Sequence, residues 1–337
     1  MIRIGIIGLG VMGAIFAKSL ERFPESRLAA VSDVNESLAK QFAARYQAAA
    51  YSDYNEMLAK EQLDAVLICT PDQYHLDPAR SACAANVHIF LEKPLSTDSQ
   101  SGAEILKLAQ GYNKTFMIGH TLRWDPRFVN GYNSIKKGEI GNILHMRAWR
   151  ETSIDNGIRL GGRCSSMFFV GVHDLDIMLW YAGCGVERVY AESRYGKLRD
   201  MGVNTSDAVF ATLRFQNGAI ATLNTSWVLP KTQGQQRSNI MDKGMEIVGD
   251  KGMISIEAYN IGMCVQTEDY IHYPDIIFSP DMHGSSFGIY TEEMFHFLNC
   301  IRTGAAPATS IQDAYNAVRI AEAIEQSAAS GRPVSLI

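Results

Sequence analysis

Six residues near the N-terminus constrain this chain more than any others. Gly8-Leu9-Gly10-Val11-Met12-Gly13 follows the short apolar run Ile2 to Ile7, and Val11 to Arg22 then reads as a helix closed by Phe23-Pro24. The apolar, β-branched run fits a central strand covered on both faces. Glycines at this spacing between strand and helix have a mechanical meaning. Gly8 permits the tight turn, Gly10 lets the backbone approach a pyrophosphate, and Gly13 allows helix and strand to pack closely. The helix N-terminus attracts the negative charge. Asp33 lies twenty residues past Gly13, at the end of the next strand (Leu28 to Ser32), where an acid can accept ribose hydroxyls. It would repel a 2′-phosphate, so NAD is the expected cofactor and NADP the less favoured one. A helix packed tightly for structural reasons alone is the competing reading of the glycines, and their context favours the cofactor.

Strands and helices go on alternating. Helical stretches at Glu36 to Tyr46 and Tyr54 to Lys60 lead to the strand Ala65 to Cys69, which stops at Thr70-Pro71. A helix (Leu76 to Ala85), a strand (His88 to Leu91) ending in Glu92-Lys93-Pro94, a helix (Ser99 to Gln110) and the strand Thr115 to Gly119 complete the series. This pattern implies βαβ units and a doubly wound parallel sheet of the Rossmann type. Ligands of such sheets bind beyond the carboxyl ends of the strands, where Thr70, Pro71, Glu92, Lys93 and Pro94 fall.

After about residue 121 the pattern changes. Helices are expected at Pro126 to Lys137 and Val172 to Tyr181, with a strand at Ile143 to Trp149. Strands then crowd together at Val186 to Arg194, Ala208 to Phe215, Ala219 to Thr225, Met245 to Val248 and Met253 to Glu257. Turn signals at Gln216-Asn217-Gly218 and Gly249 to Gly252 indicate antiparallel hairpins. Helices near Tyr290 to Arg302 and Ile311 to Ala329 close the chain. The expected architecture is therefore α/β: a Rossmann domain over 1–121, then an α+β domain over 122–337 built on a large, mostly antiparallel open sheet.

Composition narrows the class. A formal net charge of −5 gives no reason to expect nucleic acid as a partner. Six scattered cysteines without a C-x-x-C pair argue against a disulfide framework and a thiolate metal site, and suit a reducing compartment. Met1 to Ala17 could be imagined as a signal peptide, but strand, glycine turn and helix explain it better. No stretch offers the roughly 18 to 20 uninterrupted apolar residues of a membrane span. A cytoplasmic protein without membrane or metal is expected.

Ile4 to Gly10, Thr70-Pro71 with His75, Glu92-Lys93-Pro94, and Gly171-Val172-His173 with Asp176 together resemble the Gfo/Idh/MocA family of sugar and inositol oxidoreductases. The resemblance runs over essentially the whole chain, Tyr290 to Phe297 and the last helix included. It implies hydride transfer between the nicotinamide C4 and a sugar carbon, a homo-oligomer (dimer or tetramer) joined through the open sheet, and a Lys93-Pro94 bond that is often cis. It adds His75 to the expected cofactor contacts and places a tyrosine, here Tyr290, near the nicotinamide.

Oxidising a secondary alcohol needs a group to take the hydroxyl proton. A partly desolvated Lys93 beside the cofactor would have a lowered pKa suited to that task; a solvated surface charge is the bland alternative. His173 opens an apolar helix with Asp176 on the same face one turn later. The resemblance makes that histidine the base or the positioner of the reacting hydroxyl, and puts the aspartate in the substrate pocket. A satisfied core histidine is the alternative, and a metal pair lacks a third ligand. Many family members carry an acid four positions before this histidine, where this chain has Phe169. Among Arg123, Arg127, Arg147, Arg150, Arg159 and Arg163, surface pairing accounts for most, and Arg123 is the one expected to reach the substrate. An arginine fork suits a carboxylate or phosphate, as in a uronate or nucleotide sugar. Pro230 to Gly244 and Ser279 to Gly288, with His283, are expected to cover the pocket. Three functions remain: an NAD(P)-dependent dehydrogenase of a sugar, inositol or nucleotide sugar; a glycoside hydrolase using NAD transiently; or an idle NAD-binding sensor, which would need neither Lys93 nor His173.

Overall fold

The computed structural model describes residues 1–337 except 161, 231–241, 258–262, 269–270 and 273. The chain forms two compact units, one of Met1–Trp124 with Ile277–Tyr315 and the other of Asp125–Ile276 with Asn316–Ile337. Residues 277–315 thus return to the first unit, a step that a simple division into 1–121 and 122–337 does not contain.

In the first unit β1 (Ile2–Ile7), α1 (Val11–Leu20), β2 (Ser26–Ser32), α2 (Glu36–Tyr46), β3 (Ala49–Tyr51), α3 (Tyr54–Lys60), β4 (Ala65–Ile68), α4 (Leu76–Ala84), β5 (His88–Glu92), α5 (Ser99–Ala109) and β6 (Phe116–Gly119) follow in turn. The sheet is parallel throughout, in the order β3-β2-β1-β4-β5-β6. Strand order reverses between β1 and β4, where doubly wound sheets open a ligand crevice. The expected strands are all present. β3 went unread because Ala-Ala-Tyr is too short to show a period. Ile4, Ile6, Phe16, Val31, Leu67, Phe90 and Met117 are fully buried and form the core.

The second unit contains α6 (Pro126–Lys136), β7 (Ile143–Ser153), α7 (Ile154–Leu160), α8 (Val172–Ala182), β8 (Val186–Arg194), α9 (Lys197–Asp200), β9 (Ala208–Phe215), β10 (Ile220–Leu229), β11 (Asp242–Gly249) and β12 (Met253–Glu257), with two-residue strands β13 (Val265–Gln266) and β14 (Ile271–His272). β15 (Asp281–Met282), β16 (Ser285–Ser286) and α10 (Ile289–Thr303) belong to the first unit; α11 (Ile311–Ser330) runs on from it, and β17 (Val334–Ser335) ends the chain. The large sheet has the order β12-β11-β7-β10-β9-β8-β17. It is mostly antiparallel, as expected, with β7 and β10 parallel.

The two faces of this sheet differ in chemistry. Alternate residues such as Met146, Ala148, Leu213, Leu223, Met245 and Ile247 are buried on the inner face. Their neighbours along each strand face outward, and Tyr190, Phe210, Ile220 and Met253 are exposed large apolar residues there. No helix among the described residues is long and apolar enough to cross a membrane.

Candidate functional site

The glycine turn meets the steric demands read for Gly8 and Gly13. Gly8 has φ +90°, and a β-carbon there would lie 2.7 Å from the Cys69 carbonyl oxygen. At position 13 a β-carbon would lie 2.2 Å from the Gly8 carbonyl oxygen, so only glycine lets α1 come this close to β1. Gly10 is the contrast: a β-carbon would meet nothing within 4 Å. Gly10 also caps α1 with no side-chain hydrogen bond to the first-turn amides. An open, uncapped helix terminus at a switch point is where a pyrophosphate fits, since the first amides of a helix have no partner within it. Leu9 is buried, Met12 half-buried and Val11 exposed beside this opening.

Asp33 does two jobs. Its Oδ2 accepts the Leu9 N–H at 2.8 Å and its Oδ1 accepts the Asn35 N–H at 2.8 Å. The carboxylate thus pins the glycine turn to the end of β2 while remaining half-exposed. Each oxygen keeps a lone pair for a ribose hydroxyl.

Behind the ends of β4 and β5 sits His75, only 1% exposed. Its Nδ1 lies 2.9 Å from the Pro94 carbonyl and its Nε2 3.1 Å from the Thr70 carbonyl. Burial holds its pKa below the usual imidazole value, against the pull of those carbonyls. His75 is therefore a brace between the Thr70-Pro71 and Lys93-Pro94 turns, placed behind the surface that a nucleotide would touch. The Lys93–Pro94 bond is cis, and Lys93 is half-buried. Glu92 is 4% exposed, with one carboxylate oxygen accepting the Lys93 N–H at 3.1 Å. Burial raises its pKa to about 7, opposed by the Lys93 charge. Like His75, it shapes the turn from beneath.

Two expected contacts are committed within the first unit. Arg123 is 5% exposed; its guanidinium donates to the Ala308 carbonyl at 2.8 Å and pairs with Asp313 at 3.1 Å. Tyr290 packs edge-on against Phe16, ring centroids 6.0 Å apart, and lies 5.9 Å from Phe278. The stretch Ser279 to Gly288, expected as a cover, holds the β15–β16 ladder, with Asp281 paired to Lys18 at 2.6 Å. Residues 231–241 of the other expected cover lie outside the described residues, and 242–244 open β11.

In the second unit His173 is half-buried in the first turn of α8, whereas Asp176 is fully buried one turn later. A π-helical turn, Met167–Gly171, runs directly into α8 and carries Phe169. The Phe169 ring is 6.4 Å from Trp227, with the Arg159 guanidinium 5.7 Å from its centroid. An aromatic and a cationic side chain thus flank position 169. Among the described residues no group of three or more His, Cys, Asp or Glu side chains is placed to hold a metal.

Sequence reasoning missed a buried charge cluster on the inner face of the second sheet. Arg150 on β7 donates from Nε and Nη2 to the two oxygens of Asp174, both at 2.7 Å. Asp125 holds Arg127 by the same kind of fork, at 3.0 and 2.6 Å. Lys243 lies opposite Arg150 in the β7–β11 ladder and is 5% exposed. Burial, reinforced by Arg150 and Arg127, lowers its pKa to about 7 against the pull of Asp125 and Asp174. Nothing marked Lys243 in the sequence, because it sits at the edge of a polar stretch that reads as loop.

Comparison with known proteins places these features in a family. Residues 2–120 match the model of an oxidoreductase family with an NAD-binding Rossmann fold, and residues 133–336 match that family's C-terminal alpha/beta domain. An uncharacterised oxidoreductase, YrbE, of Bacillus subtilis is 30% identical, covering 98% of this chain and 96% of that protein. An inositol 2-dehydrogenase of Rhizobium meliloti is 27% identical, covering 99% of both. The crystal structure of a putative myo-inositol dehydrogenase from Sinorhizobium meliloti superposes with a TM-score of 0.82 at 25% identity, covering all of both chains.

The Lys243 environment gives a stability prediction. The unfolded lysine titrates near 10.5 and the folded one near 7, so between these values the folded protein holds fewer protons. Stability should therefore rise from about pH 7 to 10.5, and the full penalty is present below pH 7. Lys243→Met should stabilise the protein against urea by a few kcal/mol at pH 6, on the order expected for a shift of this size. That gain should shrink towards pH 10. A gain independent of pH would contradict this origin.

Proposed function

Because the chain belongs to the Gfo/Idh/MocA family of NAD-binding oxidoreductases, we propose that it is a dehydrogenase of a secondary alcohol on a polyol or sugar, inositols being the first class to try. The observation that carries this reading lies within one sheet. The uncapped α1 terminus at Gly10 and the half-buried Lys93 sit at the carboxyl ends of β1 and β5, on either side of β4. When bound, NAD supplies the acceptor for the carbinol hydride at its nicotinamide C4. The chain's own residues do the rest. Gly8 to Gly13 hold the pyrophosphate, Asp33 the adenosine ribose, and the Thr70-Pro71 and Lys93-Pro94 turns, braced by His75 and Glu92, flank the nucleotide. Lys93 Nζ receives the hydroxyl proton, and His173 is the second group assigned to the reacting hydroxyl, as its base or its positioner. Arg123 and Tyr290 are not carried forward as substrate contacts, since Ala308 and Asp313 hold the Arg123 guanidinium and the Tyr290 ring packs against Phe16. The relatives support a dehydrogenase over a glycoside hydrolase.

We also infer that a second copy of this chain covers the outer face of the large sheet. Tyr190, Phe210, Ile220 and Met253 are large apolar side chains exposed on that face, and a second copy would take them out of water. Charged neighbours such as Arg214 and Glu187, 3.8 Å apart, would form its polar rim.

Three measurements test this reading. Lys93→Ala should lose turnover by at least about a hundredfold, the scale of a removed proton-transfer group, while titration still shows NAD binding. Turnover at the unmodified rate would remove Lys93 from the chemistry. Asp33→Ala should weaken NAD more than NADP, and an unchanged preference would remove the ribose role. Phe210→Glu should shift sedimentation towards the monomer; an unaltered oligomer, or a monomeric parent protein, would contradict the interface.

A further inference from the structure

We propose that Arg150 and Asp174 are positioning residues for His173, their buried fork setting the angle at which α8 presents the imidazole. The inference rests on the reading of His173 given above.

The need for such a device is local. α8 follows a π-helical turn without interruption, and a π-turn breaks the side-chain spacing that an α-helix would otherwise fix. The first turn of α8 also lacks a side-chain cap, its N-cap position being Gly171. The residue that fixes the rotation of this turn against the sheet is Asp174, next to His173 in the chain. Arg150 reaches it from β7 with two bonds of 2.7 Å, and both side chains are almost fully buried, at 5% and 1% exposure. One bond would leave the carboxylate free to pivot; a planar fork on both oxygens does not. On the same face of the sheet, where Thr225 is the register partner of Arg150, Gly171 is seated so tightly that a β-carbon would lie 2.4 Å from Met167 Sδ and 3.2 Å from Thr225 Cγ2. The turn is therefore held at two points, one polar and one steric, with His173 close after the second and directly before the first.

Arg127, Lys243 and Asp125 are the other charged groups that act on this cluster, from α6, from β11 and from the start of α6. A buried pair is weak evidence for stability, because an apolar pair of similar volume is often as stable. Orientation is what the fork provides and an apolar pair does not.

The test separates orientation from folding. Arg150→Lys keeps the charge and loses the fork, and the double variant Arg150→Met with Asp174→Leu replaces the pair by apolar volume. Both are compared with the parent by urea unfolding and by carbon–proton NMR of the His173 ring, assigned with His173→Gln. The expected result is a displaced His173 resonance with an altered titration midpoint in Arg150→Lys, although its charge is unchanged. In an NAD-dependent assay with myo-inositol as the probe, kcat should fall about 10- to 100-fold, the scale of a small misplacement, while NAD affinity holds. A His173 resonance and titration that superpose on the parent's in both folded variants would overturn the proposal, whatever the probe's turnover. A His173→Gln variant with unimpaired turnover would instead overturn the role of His173, while the NMR comparison still decides the positioning.

Discussion

The distance between α1 and β1 governs what the first unit can do. A β-carbon at position 13 would be driven to 2.2 Å from the Gly8 carbonyl, so the helix sits where only a glycine allows. That approach brings the start of α1 directly over the end of β1 and aims its free amides at the switch point of the sheet. The open space at Gly10, the Asp33 carboxylate on the Leu9 amide and the turns after β4 and β5 are all arranged around this one contact. Loosening it would move the anion site away from Asp33 and from Lys93 together.

The second unit relies on polar burial where the first relies on steric closeness. Arg150, Asp174, Asp125 and Lys243 are buried among the apolar residues between its sheet and helices, with the half-buried Arg127 beside them. Two carboxylates are each gripped by an arginine fork, and the additional lysine is lowered towards neutrality by its surroundings. Clusters of this kind specify geometry at some cost in stability.

The parts legible in the sequence were those whose cause is local. Gly8 and Gly13 could be read because turn and packing each need glycine at a fixed spacing, and the strands of the first sheet other than β3 followed from short apolar runs bounded by turn residues. The parts that escaped depend on partners far along the chain. Arg123 looked free to reach a ligand, yet Ala308 and Asp313, more than 180 residues on, take its guanidinium. His75 was read as a cofactor contact, but its two partners are the carbonyls of Thr70 and Pro94, and backbone oxygens leave no signature in a sequence. Arg150 was read as one surface arginine among six, because nothing in the spacing of 150 and 174 announces a fork across a sheet.

The proposed chemistry is hydride leaving a carbinol carbon for NAD. The most direct measurement supplies a polyol or sugar deuterated at its carbinol carbons, with NAD, to the protein and follows the mass of the nucleotide. Deuterium accumulating in the reduced nucleotide in proportion to ketone formed is the result expected. Across inositols, aldoses, uronates and nucleotide sugars, a nucleotide that binds and never gains deuterium would contradict the assignment.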